Sequence, residues 1–226
     1  MLNGAPPLVL ASASPRRREI LAGLGLKFEV APVEGITERQ MGADFTGHAR
    51  ELAYHIAMKK ASIASSWHGS SVVVAADTTV VVDQTLLGKP RDVPEATRYL
   101  QMLQGRSHEV ITGVAIFDGA TGNIVGGEEL TRVRFAPMTD AEIAQYVASG
   151  EPFDKAGGYA IQGIGSLFIT GIEGDYFNVV GFPVYRFRQL LRRLRYNLEQ
   201  WVLHSPATEV HVGAEPEDDR SLLAAE

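Results

Sequence analysis

The residues able to do chemistry fall in three short segments. The first, "SASPRRR" at 12–18, places Ser14 at a helix N-cap and Pro15 at the first helical position, then sets Arg16, Arg17 and Arg18 in the first turn. A helix N-terminus carries free N–H groups and a partial positive charge, so cations there are disfavoured unless an anion occupies the end. Two readings follow: a phosphate-type anion site served by backbone amides and guanidinium groups, or an exposed basic first turn. Successive helical residues diverge by about 100°, so the three arginines cannot all point into one site.

The second segment, "VVVAADTTVVVD" at 72–83, puts Asp77 inside an apolar, strand-like run. An ionised carboxylate there is costly unless paired or metal-bound. Asp77 therefore either caps a turn while Thr78 and Thr79 fill a strand, or serves as a metal ligand or general base in a polar cleft. Lys89, in the turn "GKP" at 88–90, reads alone as a surface lysine. The third segment, "EPFDKAGGYAIQGIGSLFI" at 151–169, combines Asp154, Lys155, a glycine pair, Gln162, Gly163 and Gly165. Glycines let a backbone approach a ligand closely, and a glutamine can donate to and accept from a base edge. The other reading is a glycine-rich turn between strands, and the spacing does not match a GxxxxGK[ST] phosphate loop.

The elements that must position these residues follow from pattern. Strands are predicted at 8–12, 27–33 and 72–83, the last interrupted at Ala75-Ala76-Asp77, and strand-like alternation continues at 108–118, 124–138 and 165–181. Helices are predicted after Ser14, at 46–64 with Thr46 as cap, in a segment ending at Gly105, and at 139–149, where Thr139 and Glu142 form a capping box. Helices alternate with strands early and antiparallel pairs follow later. This predicts an α/β fold with a mixed central sheet flanked by helices, two lobes and a cleft between them.

The chain has 226 residues, 45% of them hydrophobic and 21% charged, which is ample for a sizeable core. One domain is expected over 1–203, followed by an acidic tail at 204–226 that is expected to be disordered. With no cysteine, a thiol nucleophile, a disulfide and a thiolate metal site are excluded, and any metal must sit on oxygen or imidazole ligands. A net charge of −6 argues against bulk binding to nucleic acid or an anionic membrane. No stretch reaches the roughly 18 to 20 apolar residues of a membrane span, and the N-terminal apolar run is too short for a signal peptide, so a cytoplasmic protein is expected.

Six motifs taken in order, "LASASPRR" at 10–17, "AADTTV" at 75–80, "GKP" at 88–90, "GRSHEVITG" at 105–113, "DKAGGYAIQG" at 154–163 and "YFNVVGFP" at 176–183, resemble the Maf family of nucleoside triphosphate pyrophosphatases. The resemblance runs from about residue 8 to 195. It implies a fold like that of the inosine triphosphate pyrophosphatases and a cytoplasmic, usually dimeric hydrolase. Such an enzyme converts a nucleoside triphosphate to the monophosphate and pyrophosphate with a divalent cation, Mg²⁺ or Mn²⁺. The segment "DKAGGYAIQG" is similar to that of the dTTP/UTP branch. The alternatives are the 7-methyl-GTP branch, which tends to carry a Glu-containing segment there, and a nucleotide-binding regulator of septum formation without turnover.

Carried over position by position, the resemblance implies Asp77 as the catalytic aspartate and a metal ligand. It places substrate specificity on Arg16, Thr78 and Gln162, and phosphate binding on Ser14, Arg16, Lys60, Lys89 and Lys155, with Asp154 a further polar position of the pattern. The metal-site glutamate falls on Glu38 or Glu34, and the local pattern "GITERQ" favours Glu38. The acidic tail lies outside the resemblance.

Overall fold

In the computed structural model, which describes residues 5–37, 41 and 47–202, the valine-rich run is a single unbroken strand. In chain order the elements are β1 (Leu8–Leu10), α1 (Pro15–Gly23), β2 (Glu29–Val30), α2 (Leu52–Ser65), β3 (Val72–Val82), β4 (Thr85–Leu87), α3 (Val93–Leu103), β5 (Ser107–Asp118), β6 (Asn123–Phe135), α4 (Asp140–Ala148), β7 (Ile169–Glu173), α5 (Tyr176–Val180) and α6 (Val184–Arg193). The sheet order is β2-β1-β3-β5-β6-β7, with β4 paired to β3. β1 runs parallel to β2 and β3, whereas the pairs of β3 with β4 and β5, β5 with β6, and β6 with β7 are antiparallel. The predicted mixed sheet flanked by helices is what forms.

β3 contributes to separate apolar clusters along its length. Over its first half alternate residues face opposite ways, as the two-residue period of a strand requires. Val72, Val74 and Ala76 pack with Leu8, Leu10, Val114 and Ile116 under Phe187, Leu190 and Leu191 of α6. Val73 and Ala75 face the other way, against Ala57, Ala61 and Ala64 of α2. Those alanines let the helix lie close on the sheet. Over its second half, Val80 and Val82 join Val110, Val133 and Phe135 beneath Leu100 and Leu103 of α3 and Ile143 and Tyr146 of α4. Asp77 and Thr78 fall between these two sets of apolar positions.

Four sequence expectations change. Ala75, Ala76 and Asp77 do not interrupt β3, because Asp77 pairs in register with Gly113 of β5 and finds a side-chain partner outside the sheet. The strand expected at 27–33 contracts to Glu29–Val30, a short edge strand exposed at both residues. The helix expected at 46–64 begins with a 3₁₀ turn at Ala49–Glu51 before α2, and Thr46 lies outside the described residues. Within the strand-like stretch 165–181, only Ile169–Glu173 is strand. Asp175 then N-caps α5 by accepting a hydrogen bond from the Phe177 N–H at 2.8 Å, which turns Tyr176–Val180 into helix. The capping box at Thr139 and Glu142 forms as expected. Glu38 and the tail at 204–226 lie outside the described residues.

Candidate active site

The N-terminus of α1, the middle of β3 and the glycine-rich segment after α4 close around one cavity of about 420 Å³. Ser14 and Arg16 enter it from α1, Asp77 and Thr78 from β3, and Lys60 from α2. Lys89, Asp154, Lys155 and Gln162 line it from the facing segments, and so does Glu34 from the loop after β2. Every described residue of the predicted site therefore meets in one place.

Asp77 is 5% exposed. Its Oδ1 accepts a hydrogen bond from the Lys60 ammonium at 2.7 Å, and the two form an ion pair. Its Oδ2 is buried with no partner among the described residues. A buried carboxylate oxygen without a donor is an energetic liability unless something arrives to use it. Asp77 thus holds one oxygen for structure and keeps one for chemistry.

The three arginines separate as helix geometry demands. Arg16 reaches across the cavity to Asp154, donating to Oδ2 at 3.1 Å and to the backbone carbonyl at 3.4 Å. Asp154 also pairs with Lys155. Burial pushes the Asp154 carboxyl up, but the Lys155 ammonium and the Arg16 guanidinium outweigh burial and hold it below the usual carboxylate range. Arg18 is exposed. Ser14 occupies the N-cap position but makes no side-chain cap hydrogen bond.

Arg17 is the residue that sequence reasoning missed. It is buried, and its guanidinium donates to the Gly181 carbonyl at 2.8 Å, the Ala76 carbonyl at 2.8 Å, Ser12 Oγ at 3.0 Å and Thr78 Oγ1 at 3.0 Å. One side chain thereby ties the α1 terminus to β3 and to the α5–α6 junction. Thr78 Oγ1 also lies 2.9 Å from Thr112 Oγ1, which donates to the Asn178 carbonyl at 3.1 Å. With the Thr112 proton so committed, Thr78 donates to Thr112 and accepts from Arg17, which leaves one lone pair. The only sequence signal for Arg17 was that its side chain must point about 100° away from its neighbour's.

Opposite β3, the Gly157 N–H donates to the Gly88 carbonyl at 3.0 Å, which joins the "GKP" turn to the glycine-rich segment. Lys89 is exposed in the cavity wall. The Lys155 ammonium donates to the Glu151 carbonyl at 2.8 Å, and Gln162 is exposed to the cavity. Beneath this wall, His108 and Tyr159 are buried and hydrogen-bonded, Nε2 to Oη, at 2.7 Å, and burial lowers the His108 imidazole to about 3. The described residues hold no group of three histidine, aspartate or glutamate side chains placed to bind a metal. The orphaned Asp77 Oδ2 and the Glu34 carboxylate in the same cavity nonetheless suit a hard cation that also takes phosphate oxygens.

Residues 7–194 match the description "Maf-like protein". The chain belongs to the Maf family. It is 47% identical to the dTTP/UTP pyrophosphatase of Symbiobacterium thermophilum over 84% of this chain and 94% of the relative. It is 45% identical to that of Desulforamulus reducens over 82% and 95%, and 46% identical to that of Syntrophotalea carbinolica over 85% and 89%. Among solved structures this Maf protein is similar to the Staphylococcus aureus Ham1 protein, at 13% identity over 87% of this chain and 93% of that one, with a TM-score of 0.41.

Proposed function

We propose that this Maf protein is a nucleoside triphosphate pyrophosphatase that hydrolyses dTTP and UTP to the monophosphate and pyrophosphate. The observation that carries the reading is Asp77: a buried carboxylate with one oxygen fixed by Lys60 and the other unpartnered, in a cavity rimmed by Ser14, Arg16, Lys89 and Lys155. The curated relatives bearing the dTTP/UTP pyrophosphatase name support the same substrates.

In this mechanism the triphosphate lies against the α1 N-terminus. Its oxygens accept from Arg16 and from the Lys89 and Lys155 ammonium groups, with Ser14 Oγ at the helix end. Arg16 and Lys155 are already poised by Asp154, whose carboxylate occupies the place that phosphate oxygens then share. Asp77 Oδ2 serves either as general base, taking a proton from the attacking water as it adds to the α phosphorus, or as the metal ligand that orients that water. The bond from the α phosphorus to its bridging oxygen breaks, and pyrophosphate leaves. Lys60 holds Asp77 Oδ1 and so aims Oδ2 into the cavity. A divalent cation, Mg²⁺ or Mn²⁺, would be held by Asp77 with Glu38, the glutamate the sequence favours, or Glu34, and would supply charge neutralisation on the phosphates.

Base choice rests on the facing wall. Uracil and thymine present the O4 acceptor beside the N3–H donor, and Gln162 can match both. The remaining lone pair of Thr78 accepts only from a donor. The same reading includes a cytoplasmic homodimer, supported by the family resemblance. No helix among the described residues is long and apolar enough to cross a membrane.

The test is pyrophosphate release by the purified protein with Mg²⁺ or Mn²⁺ across dTTP, UTP, CTP, ATP, GTP and 7-methyl-GTP. Turnover of dTTP and UTP that disappears in Asp77→Asn is expected. Preference for 7-methyl-GTP would keep the chemistry and overturn the base assignment, and nucleotide binding without turnover would overturn the enzyme.

A further inference from the structure

Gln162 lies in a segment with little regular structure of its own, between the buried Ala160 and the 3₁₀ turn Ile164–Phe168. A base-reading side chain works only if its backbone is held to within a few tenths of an ångström. What holds it is a carboxylate from outside the segment. Glu151 Oε1 accepts from the Gly165 N–H at 2.9 Å, and Oε2 accepts from the Ile164 N–H at 2.9 Å. The Tyr146 hydroxyl from α4 donates to Glu151 Oε1 at 2.8 Å and accepts from the Ala160 N–H at 3.2 Å. The loop is therefore clamped on both sides of Gln162, at residue 160 and at residues 164 and 165.

The glycines of the loop fit this clamp. A Cβ on Gly163 would meet Glu151 Oε2 at 2.4 Å, and Gly163 sits at φ +105°. A Cβ on Gly165 would meet the Ala160 carbonyl at 2.5 Å and the Tyr146 hydroxyl at 2.6 Å. Both positions lack a side chain because the backbone wraps closely around the carboxylate and the phenol. Burial pushes the Glu151 carboxyl up, yet the Gly165 N–H, the Tyr146 hydroxyl, the Ile164 N–H and Lys155 together bring it below its ordinary value. The clamp is built for an ionised acceptor.

We propose that Glu151, seconded by Tyr146, is a positioning residue for substrate choice: it fixes the loop that presents Gln162 to the base and so sets discrimination between uracil-type and cytosine-type nucleotides. The proposal rests on Gln162 reading the base. Glu151→Gln keeps size and one acceptor oxygen but turns an amide toward a backbone N–H, setting donor against donor. If Oε1 stays the acceptor, the Ile164 end of the clamp opens.

The experiment measures kcat/KM for UTP and CTP in wild type, Glu151→Gln, Tyr146→Phe and Gln162→Ala, with the thermal unfolding midpoint of each. The UTP/CTP ratio is expected to fall about tenfold in Glu151→Gln and less in Tyr146→Phe, in the direction taken by Gln162→Ala. A purely structural role would lower both substrates equally and leave the ratio fixed. If Gln162→Ala changes the ratio while Glu151→Gln and Tyr146→Phe do not, the clamp proposal fails and base reading survives. If Gln162→Ala leaves the ratio unchanged, base reading fails and the proposal falls with it. Should Glu151→Gln not fold, Tyr146→Phe decides, and an unchanged ratio there overturns the proposal.

Discussion

The two walls of the cleft are built by different physics. The β3 wall, with Asp77, Thr78 and the buried Arg17, rests on a strand paired with β5 over ten consecutive registers from Val72 to Val81 and packed on both faces. The facing wall, residues 151–168, has short 3₁₀ turns, and glycines 157, 158 and 163 adopt positive φ. It is held by side-chain hydrogen bonds, chiefly those of its own Glu151 and of Tyr146 from α4. In the proposed reading the rigid wall carries the attack on the α phosphorus, and the clamped loop, besides its phosphate contact at Lys155, carries Gln162 and with it the choice among substrates. Loops can vary without disturbing a sheet, so this division lets selectivity drift while the chemistry stays fixed.

The largest effect should come from the rigid wall. Asp77→Asn should lower kcat by about 10² to 10⁴ while nucleotide affinity changes little, because a general base acts in the transition state rather than in binding. Its loss should fall evenly on dTTP and UTP. A steady-state comparison of both substrates checks this, and an unequal loss would break the division between the walls.

Next in size is Arg17→Met. Removing a buried guanidinium takes a donor from the carbonyls of Ala76 and Gly181 and from the hydroxyls of Ser12 and Thr78, at a cost of about 3 kcal/mol or more. Urea unfolding measures it. Arg17 also marks where sequence reasoning stopped. Its carbonyl acceptors lie 59 and 164 positions away, and no local pattern distinguishes it from Arg16. β3 itself was legible because β-branched residues fill a pleated, buried surface. Its continuity through Asp77 was not, since that depends on Lys60 of a different element. α5 was hidden for a related reason: its sequence alternates like a strand, and only the Asp175 cap with its tertiary neighbours decides for helix. Residues brought together in one cavity were readable from motif order, whereas the supports beneath them depend on tertiary contacts.

A smaller effect, confined to acid, should come from beneath the loop wall. Burial lowers the His108 imidazole from 6.5 to about 3. The unfolded chain binds this proton as pH falls through about 6.5 and the folded protein does not until about 3, so the unfolded state gains and stability is lost across that window. Above it the imidazole is neutral in both states and contributes no pH dependence. His108→Gln should flatten the fall in unfolding free energy between pH 6.5 and 4 relative to wild type. Parallel curves would mean that His108 takes up its proton in the folded protein as readily as in the unfolded chain.

The smallest effect on stability should come from Arg16→Ala, one residue from the position with among the largest. The Arg16 side chain is 28% exposed and the Asp154 side chain 61%, so water screens their ion pair and its loss should shift stability by less than about 1 kcal/mol. Its functional effect should be out of proportion, because the guanidinium that now meets Asp154 is the one proposed to meet phosphate. KM for UTP should rise while the unfolding midpoint stays near that of wild type, the reverse of Arg17→Met, where stability is the first quantity lost. Adjacent arginines in one helical turn would thus be divided by the turn of the helix into a ligand contact and a structural tie. If Arg16→Ala destabilised as much as Arg17→Met, both would be structural ties and the anion site at the α1 N-terminus would have lost its principal donor.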